Sequence, residues 1–249
     1  MTADGANAPA APGDLAGLAD VIDVLARIHD REVDAAFIDG WRANGLSQWI
    51  GDVLGSAMAK EGVSALEGAL DALPDPLTGI AHDDLASDYA DIYLTHAYRI
   101  SPNGSVWLTE EGLERQGPMF DTRSWYRRYG VEVPDWRKRP DDNIVHQLQF
   151  LAHLLRTGDP EALADAARFL DGGLLAWLPD FAARIGARAR TPFYRAFARL
   201  THAAVDEVRD RLEQGTGLAR QVAALPQPSC AATAAPDEIR YMPGQAESW

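Results

Sequence analysis

Apolar positions recur at helical spacing along most of the chain. The first such set comprises Leu15, Leu18, Ile22, Leu25 and Ile28. Intervals of three and four residues place these side chains on one face of a helix, and Asp14 can cap its start. No convincing segment alternates between apolar and polar residues as a half-buried strand would. The pattern predicts an all-α protein.

Residues 81–97 are predicted to form a helix with two contrasting faces. The apolar face holds Leu85, Tyr89, Ile92, Tyr93 and His96, and the acidic face holds Asp84, Asp88 and Asp91. An apolar stripe opposite a charged one is typical of a helix that packs on a core and faces water on its other side.

Turn and capping residues divide the rest of the chain into about ten helices. A break is predicted at Asn44-Gly45, a helix over 61–72 that ends before Pro74-Asp75-Pro76, and a helix from Pro118 to Tyr129-Gly130. The next helix is apolar and is begun by Asp141 or Asp142. It is followed by a helix that Asp159 caps and that ends near Gly172-Gly173, and by a last long helix from Thr191-Pro192 to about Gln214. We predict a disordered N-terminus over 1–13, one helical domain over 14–214 and a mobile tail over 215–249.

The charge is strongly acidic and unevenly distributed. The formal net charge is −14, and residues 1–100 carry 17 acidic and 5 basic side chains, a net charge of −12. Nucleic-acid binding relies on clustered Lys and Arg, so this balance argues against it. An acidic surface favours encounters with a cationic partner, although solubility alone also explains it. The N-terminal residues lack the features of a signal peptide, and no apolar run is long enough for a membrane helix, so we predict a cytoplasmic protein.

Motifs for enzymatic chemistry are missing. Neither glycine-rich phosphate loop occurs, and the single cysteine, Cys230, has no neighbouring histidine. We therefore predict a protein that is not an enzyme and holds no cofactor. The alternative is a helical metal-binding or enzymatic protein built around His146 and His153, which are seven residues apart and can share a helix face.

A loop over residues 98–108 and the acidic start of the next apolar helix form the candidate site. Tyr98, Pro102 and Trp107 place rigid apolar groups in a segment expected at the surface, although the loop can also fold onto the core. Asp141 and Asp142 can act as helix caps or as partners of guanidinium groups. An apolar pocket beside carboxylates suits a peptide with paired arginines followed by apolar residues.

Several motifs together resemble the TorD/DmsD/NarJ-like family of redox-enzyme maturation chaperones. They are Gly104-Ser105-Val106-Trp107-Leu108 followed by Glu110-Glu111, the segment 124–130, Arg139-Pro140-Asp141-Asp142-Asn143, the segment 174–181, and Pro192-Phe193-Tyr194. They keep the family order over roughly residues 85–205.

The resemblance implies an all-α chaperone that binds the twin-arginine signal peptide of a molybdopterin oxidoreductase. Such a chaperone holds the apo-enzyme in the cytoplasm until the cofactor is inserted. The resemblance further implies contacts with components of the twin-arginine translocase, guanine nucleotide as a further ligand, and a monomer or a domain-swapped dimer. The peptide-binding residues that it implies are Pro102, Ser105, Trp107, Asp141, Asp142 and Asn143, and we add Tyr98, which lies near them in the loop.

Three positions depart from the family pattern. Asn143 stands where the family has histidine, Asn103 replaces an aromatic residue, and Arg139 replaces an acidic residue before the proline. Asparagine keeps hydrogen-bonding capacity but does not titrate near neutral pH. These changes indicate a different client peptide.

Overall fold

The computed structural model describes residues 12–95 and 100–226. Within these residues the chain forms α1 (Pro12–Asp30), α2 (Ala35–Ala43), α3 (Leu46–Val53), α4 (Ala57–Asp71), α5 (Gly79–Tyr89), α6 (Ser105–Leu108), α7 (Gly117–Arg128), α8 (Ile144–Thr157), α9 (Pro160–Phe169), α10 (Leu175–Arg188) and α11 (Pro192–Thr216). π-Helical turns follow α5 at Ala90–Leu94 and join α9 to α10 at Leu170–Leu174. The described part contains no strand, so the all-α prediction is confirmed.

The core forms around α11 and α8. Helix α11 packs against α4 and α10, while α8 packs against α1. On α1 the predicted apolar face is confirmed, because Leu18, Ile22 and Leu25 are at most 1% exposed. The helix itself begins at Pro12, so the predicted cap at Asp14 is wrong.

Asp88 does not lie on a solvated face as predicted. It is 2% exposed and accepts hydrogen bonds from the backbone N–H groups of Arg190 (2.9 Å) and Thr191 (2.7 Å) and from the Thr191 hydroxyl (2.6 Å). The first N–H groups of a helix have no partner within the helix. Asp88 therefore secures the segment that starts α11, which is a long-range role that the local pattern does not reveal.

Helix starts were predicted correctly for α9 and α11 and incorrectly for α8, as for α1. Asp159 and Thr191 cap α9 and α11 as expected. The cap of α8 is Asn143, whose side-chain oxygen accepts from the N–H of Val145 at 3.1 Å, and neither Asp141 nor Asp142 takes that role. Neither aspartate caps the helix because both carboxylates accept hydrogen bonds from other residues, as described below.

Residues 217–226, which belong to the predicted mobile tail, contact the helical domain. Residues 217–226 contact α11, where Arg220 donates to the Asp210 carboxylate at 2.9 Å. They also contact the π-helical turn Leu170–Leu174, where the N–H of Gln221 donates to the Asp171 carboxylate and the N–H of Ala223 donates to the Asp171 carbonyl, both at 2.8 Å. Gly172 and Gly173 lie within the π-helical turn Leu170–Leu174, so the helical path does not end there as predicted but continues into α10. The predicted N-terminal segment up to residue 11, Tyr98, and the tail from residue 227 with Cys230 lie outside the described residues.

Candidate functional site

The loop before α6 is joined to the start of α8 by backbone hydrogen bonds. The N–H of Ile144 donates to the carbonyl of Pro102 at 2.8 Å, and the N–H of Gly104 donates to the carbonyl of Asp142 at 2.9 Å. Asn103 and Asn143 form an isolated antiparallel bridge. Two segments that are 40 residues apart are therefore held in one fixed arrangement, which we call the loop–helix junction (residues 101–107 and 140–144).

The Asp142 carboxylate fixes the loop side of the loop–helix junction. Its Oδ2 atom accepts from the backbone N–H of Ser105 at 2.6 Å and from the Ser105 hydroxyl. Asp142 is 1% exposed and Ser105 is fully buried. Burial raises the pKa of Asp142, while the hydrogen bonds from Ser105 act in the opposite direction. This carboxylate is thus committed to holding α6.

The Asp141 carboxylate is paired with an arginine of α7. Arg123 donates to it from Nε at 3.1 Å and from Nη2 at 2.7 Å, a bidentate arrangement. The Asp141 carbonyl accepts from the Tyr126 hydroxyl at 2.9 Å, and Asp141 is 2% exposed. In this conformation both aspartates of the motif have partners within the chain.

Trp107 is a core residue, and the expectation of a surface-exposed aromatic loop is wrong for it. Its ring stacks on Trp177 with centroids 6.2 Å apart, and the Arg184 guanidinium lies 4.3 Å from its centroid. Its Nε1 donates to the carbonyl of Ser101 at 2.9 Å, and only 7% of the residue is exposed. The loop folds inward because this large ring finds an apolar site and a partner for its N–H.

Gly104 allows this close packing. A Cβ atom at this position would lie 3.2 Å from Nε1 of Trp177 and 3.3 Å from Nε2 of Gln147. Gln147 in turn donates to the Asp142 carbonyl at 2.7 Å. The glycine of the motif therefore lets the loop backbone approach α8 and α10.

A cleft of about 200 Å³ opens beside the loop–helix junction. It is lined by His29, Tyr89, Tyr93, Leu94, Pro102, Asn103, Glu114, Lys138, Arg139, Pro140 and Asn143. Of the site residues predicted from sequence, Pro102 and Asn143 line this cleft. Ser105, Trp107, Asp141 and Asp142 are buried and do not line it.

Side chains that departed from the family pattern interact at this cleft. The Asn143 amide donates to the Asn103 side-chain oxygen at 2.8 Å, and the Asn103 amide donates to Glu114 at 2.8 Å. The two asparagines are thus complementary to each other. Asn103 is thus a partner for Asn143, the residue that replaces the family histidine.

His29 was missed by the sequence analysis and forms part of the cleft wall. It is 2% exposed and contacts the Tyr93 hydroxyl at 2.7 Å and the Thr201 hydroxyl at 3.1 Å. Burial lowers the pKa of His29 to about 3, so the ring is neutral at physiological pH. The only indication in the sequence was the place of His29 on the inner face of α1.

A second cavity of about 430 Å³ lies alongside α8. Its lining comprises Asp30, Tyr126, Val131, Glu132, Val133, Pro134, Arg139, His146, Gln149, Phe150 and His153. The two histidines share a helix face, as the spacing predicted. Within residues 12–95 and 100–226 no group of three or more His, Cys, Asp or Glu side chains is placed to hold a metal ion.

Substitutions at Asp142 should separate charge from hydrogen bonding. We expect Asp142→Ala to lower the free energy of unfolding by about 2 kcal/mol, because the buried N–H and hydroxyl of Ser105 lose their acceptor. Asp142→Asn retains an acceptor oxygen and should cost less. Urea denaturation followed by circular dichroism measures both.

The pH dependence provides a control for this interpretation. Because the pKa of Asp142 is raised in the folded state, its contribution to stability is fully present below the unfolded pKa of about 3.9 and is lost as pH rises through the folded pKa. The stability of the parent relative to Asp142→Asn should therefore fall over that interval. Equal stability of the Ala and Asn variants would contradict the assigned hydrogen bonds.

Comparisons with known proteins agree with the motifs. The sequence profile of the family described as nitrate reductase delta subunit matches residues 59–183, which is half of the chain. The chain belongs to this family, the TorD/NarJ family, and the resemblance inferred from the motifs is confirmed.

Individual relatives carry a common name. The protein called Chaperone protein TorD of Vibrio vulnificus (strain YJ016) is 25% identical over 185 residues, covering 71% of this chain and 85% of that protein. The protein of the same name from Vibrio cholerae serotype O1 (strain ATCC 39315 / El Tor Inaba N16961) is 31% identical over 140 residues, covering 53% and 63%. Among the described residues, no helix has the length and hydropathy needed to span a membrane.

Proposed function

We propose that this protein is a cytoplasmic maturation chaperone for a redox enzyme and catalyses no reaction itself. Its client is the catalytic subunit of a molybdopterin oxidoreductase, whose twin-arginine signal peptide it binds while the cofactor is inserted. The observation that carries the proposal is that two segments implied in peptide binding by the family resemblance meet at one cleft. Pro102, from the loop before α6, and Asn143, from the motif at the start of α8, border that cleft together.

The loop–helix junction supports peptide binding by its rigidity. The buried hydrogen bond from Ser105 to Asp142 and the partly buried one from Arg123 to Asp141 fix the backbone behind the cleft. A preformed wall loses little conformational entropy when a ligand binds. On this proposal Asp141, Asp142, Ser105 and Trp107 act as positioning residues, and the peptide contacts the residues in front of them.

The cleft offers both kinds of contact that such a peptide needs. Tyr89, Tyr93 and Pro102 contribute apolar atoms to the cleft lining, which the first apolar residue of the signal peptide would contact. Glu114 supplies a carboxylate that already accepts a hydrogen bond from Asn103. The acidic first 100 residues would raise the encounter rate with a cationic peptide. Contacts with the translocase, guanine nucleotide and the oligomeric state remain predictions.

Calorimetry with the client signal peptide tests the proposal. We expect saturable binding of the twin-arginine peptide and a loss of about tenfold when both arginines are replaced by lysines, since lysine does not reproduce planar bidentate contacts. Glu114→Gln should weaken binding severalfold and leave the melting temperature unchanged. Glu110→Gln, on the same loop but outside the cleft lining, is the matched control. Absence of binding by the parent protein would overturn the proposal.

A further inference from the structure

Asp30 and Arg139 form an ion pair between the two cavities. Arg139 lines both the 200 Å³ cleft and the 430 Å³ cavity, and Asp30 lines the second. Nη1 of Arg139 donates to the Asp30 carboxylate, and Nη2 donates to the backbone carbonyl of Asp30 at 3.1 Å. A single guanidinium thus contacts a side chain and a main-chain oxygen of the same residue.

The end of α1 is chemically suited to a guanidinium group. Asp30 is the last residue of the helix, where carbonyl oxygens lack intrahelical partners and the helix dipole is negative. Its carbonyl also accepts from the Tyr89 hydroxyl at 2.8 Å. The carboxylate adds a charge-assisted bond in the geometry that guanidinium prefers. The side chain of Asp30 is 22% exposed, so the site is partly desolvated but can be reached.

Arg139 lies outside the helices, so a change of its side-chain rotamer breaks no helical hydrogen bond. It lies in the irregular connector between α7 and α8, and its side chain is 35% exposed. It is also the position at which this chain has a basic residue in place of the acidic residue of the family pattern. The chain therefore contributes its own arginine to a site bordering the proposed peptide cleft.

We infer that Asp30 and the terminal carbonyl of α1 form a guanidinium-binding site that Arg139 fills in cis and that an arginine of the client peptide takes over on binding. This inference rests on the proposed function. Arg139 then acts as an internal competitor. Because it is common to the linings of both cavities, its withdrawal extends the space open to the peptide. A lysine, which lacks the planar fork, would displace it poorly.

Arg31 provides the matched control for charge. It also pairs with the Asp30 carboxylate, from Nε at 3.0 Å and Nη2 at 2.9 Å, but its side chain is 64% exposed. Arg31 is absent from the lining of both cavities. Arg31→Ala and Arg139→Ala therefore each remove one positive charge from the Asp30 carboxylate, and only Arg139→Ala also removes the guanidinium from the terminal carbonyl of α1.

Chemical rescue tests the guanidinium site without any client. We expect Arg139→Ala to have a lower melting temperature than the parent, and ethylguanidinium at millimolar concentration to raise it more than ethylammonium does. The parent and the double variant Asp30→Asn/Arg139→Ala should not respond in this way. Equal effects of the two cations on Arg139→Ala would overturn the assignment of a guanidinium site.

Peptide calorimetry tests the competition. If Arg139 fills the site about nine-tenths of the time, Arg139→Ala should bind the twin-arginine peptide on the order of tenfold more tightly than the parent. Arg31→Ala should change affinity little, and adding Asp30→Asn to Arg139→Ala should abolish the gain. The inference is overturned if the parent binds the peptide and Arg139→Ala binds it no more tightly, or if Arg31→Ala and Arg139→Ala gain affinity equally. Either result leaves the proposed function intact. If neither the parent nor Arg139→Ala binds the peptide, the competition and the proposed function are both overturned.

Discussion

Trp107→Ala is expected to lower the free energy of unfolding by about 3–5 kcal/mol, the range for removing a large aromatic ring from a core. The ring stacks on Trp177, meets the edge of Phe181 with centroids 6.3 Å apart, and carries the Arg184 guanidinium on its surface. Truncation leaves a cavity beside the loop–helix junction and orphans the carbonyl of Ser101. Urea denaturation followed by circular dichroism measures the loss.

Two further variants separate packing from peptide binding. Trp107→Phe keeps a ring and loses the indole N–H, so we expect a cost of about 1–2 kcal/mol and normal peptide affinity. Trp136→Ala removes a half-buried ring that interacts with Arg123 and Arg137 at the surface, and should cost less than Trp107→Ala. If Trp107→Phe folded like the parent but lost peptide binding, Trp107 would be a direct contact and not a positioning residue.

Arg209→Met and Asp171→Asn should each lower the free energy of unfolding by about 3–5 kcal/mol, because each breaks a buried ion pair and strands its partner. Arg209 is 1% exposed and donates to the Asp171 carboxylate from Nε and Nη2, both at 2.8 Å. Nη2 also donates to the carbonyl of Leu218 at 3.0 Å. The pair therefore joins α11, the second π-helical turn and the segment 217–226.

The double variant and a surface pair serve as controls. Arg209→Met/Asp171→Asn should cost less than the sum of the single changes, since the second change no longer strands a charge. Arg156→Met removes an exposed arginine that pairs with Asp20 at 2.7 Å and Asp23 at 2.6 Å, and should cost less than about 1 kcal/mol. Limited proteolysis should cut within the segment 217–226 faster in Asp171→Asn than in the parent. Additive costs would contradict a coupled pair.

The buried motif residues change how the site should be tested. Asp141, Asp142 and Ser105 carry the family motifs, yet each is almost fully buried. Their substitution should act first on stability and only through it on peptide binding. Assays of Glu114 and Arg139, which line the cleft, report more directly on recognition.

Much of the architecture could be predicted from local sequence. Helical periodicity and capping side chains gave the all-α class, the buried face of α1, and the starts of α9 and α11, because these depend on neighbours three or four residues away. The order of the motifs gave the family. The contacts of the segment 217–226 could not be predicted, since its partners Asp171 and Arg209 are distant in sequence.

The sequence by itself thus determined the helices, the acidic character and the family of this protein. Tertiary structure decided which polar groups lie inside: Asp88 beneath the start of α11, Asp142 against Ser105, and Asp171 against Arg209. Each of these partners is 37 to 103 residues distant in sequence. A buried charge is stable only beside its partner, and that proximity is a property of the fold, so no local pattern could have revealed it.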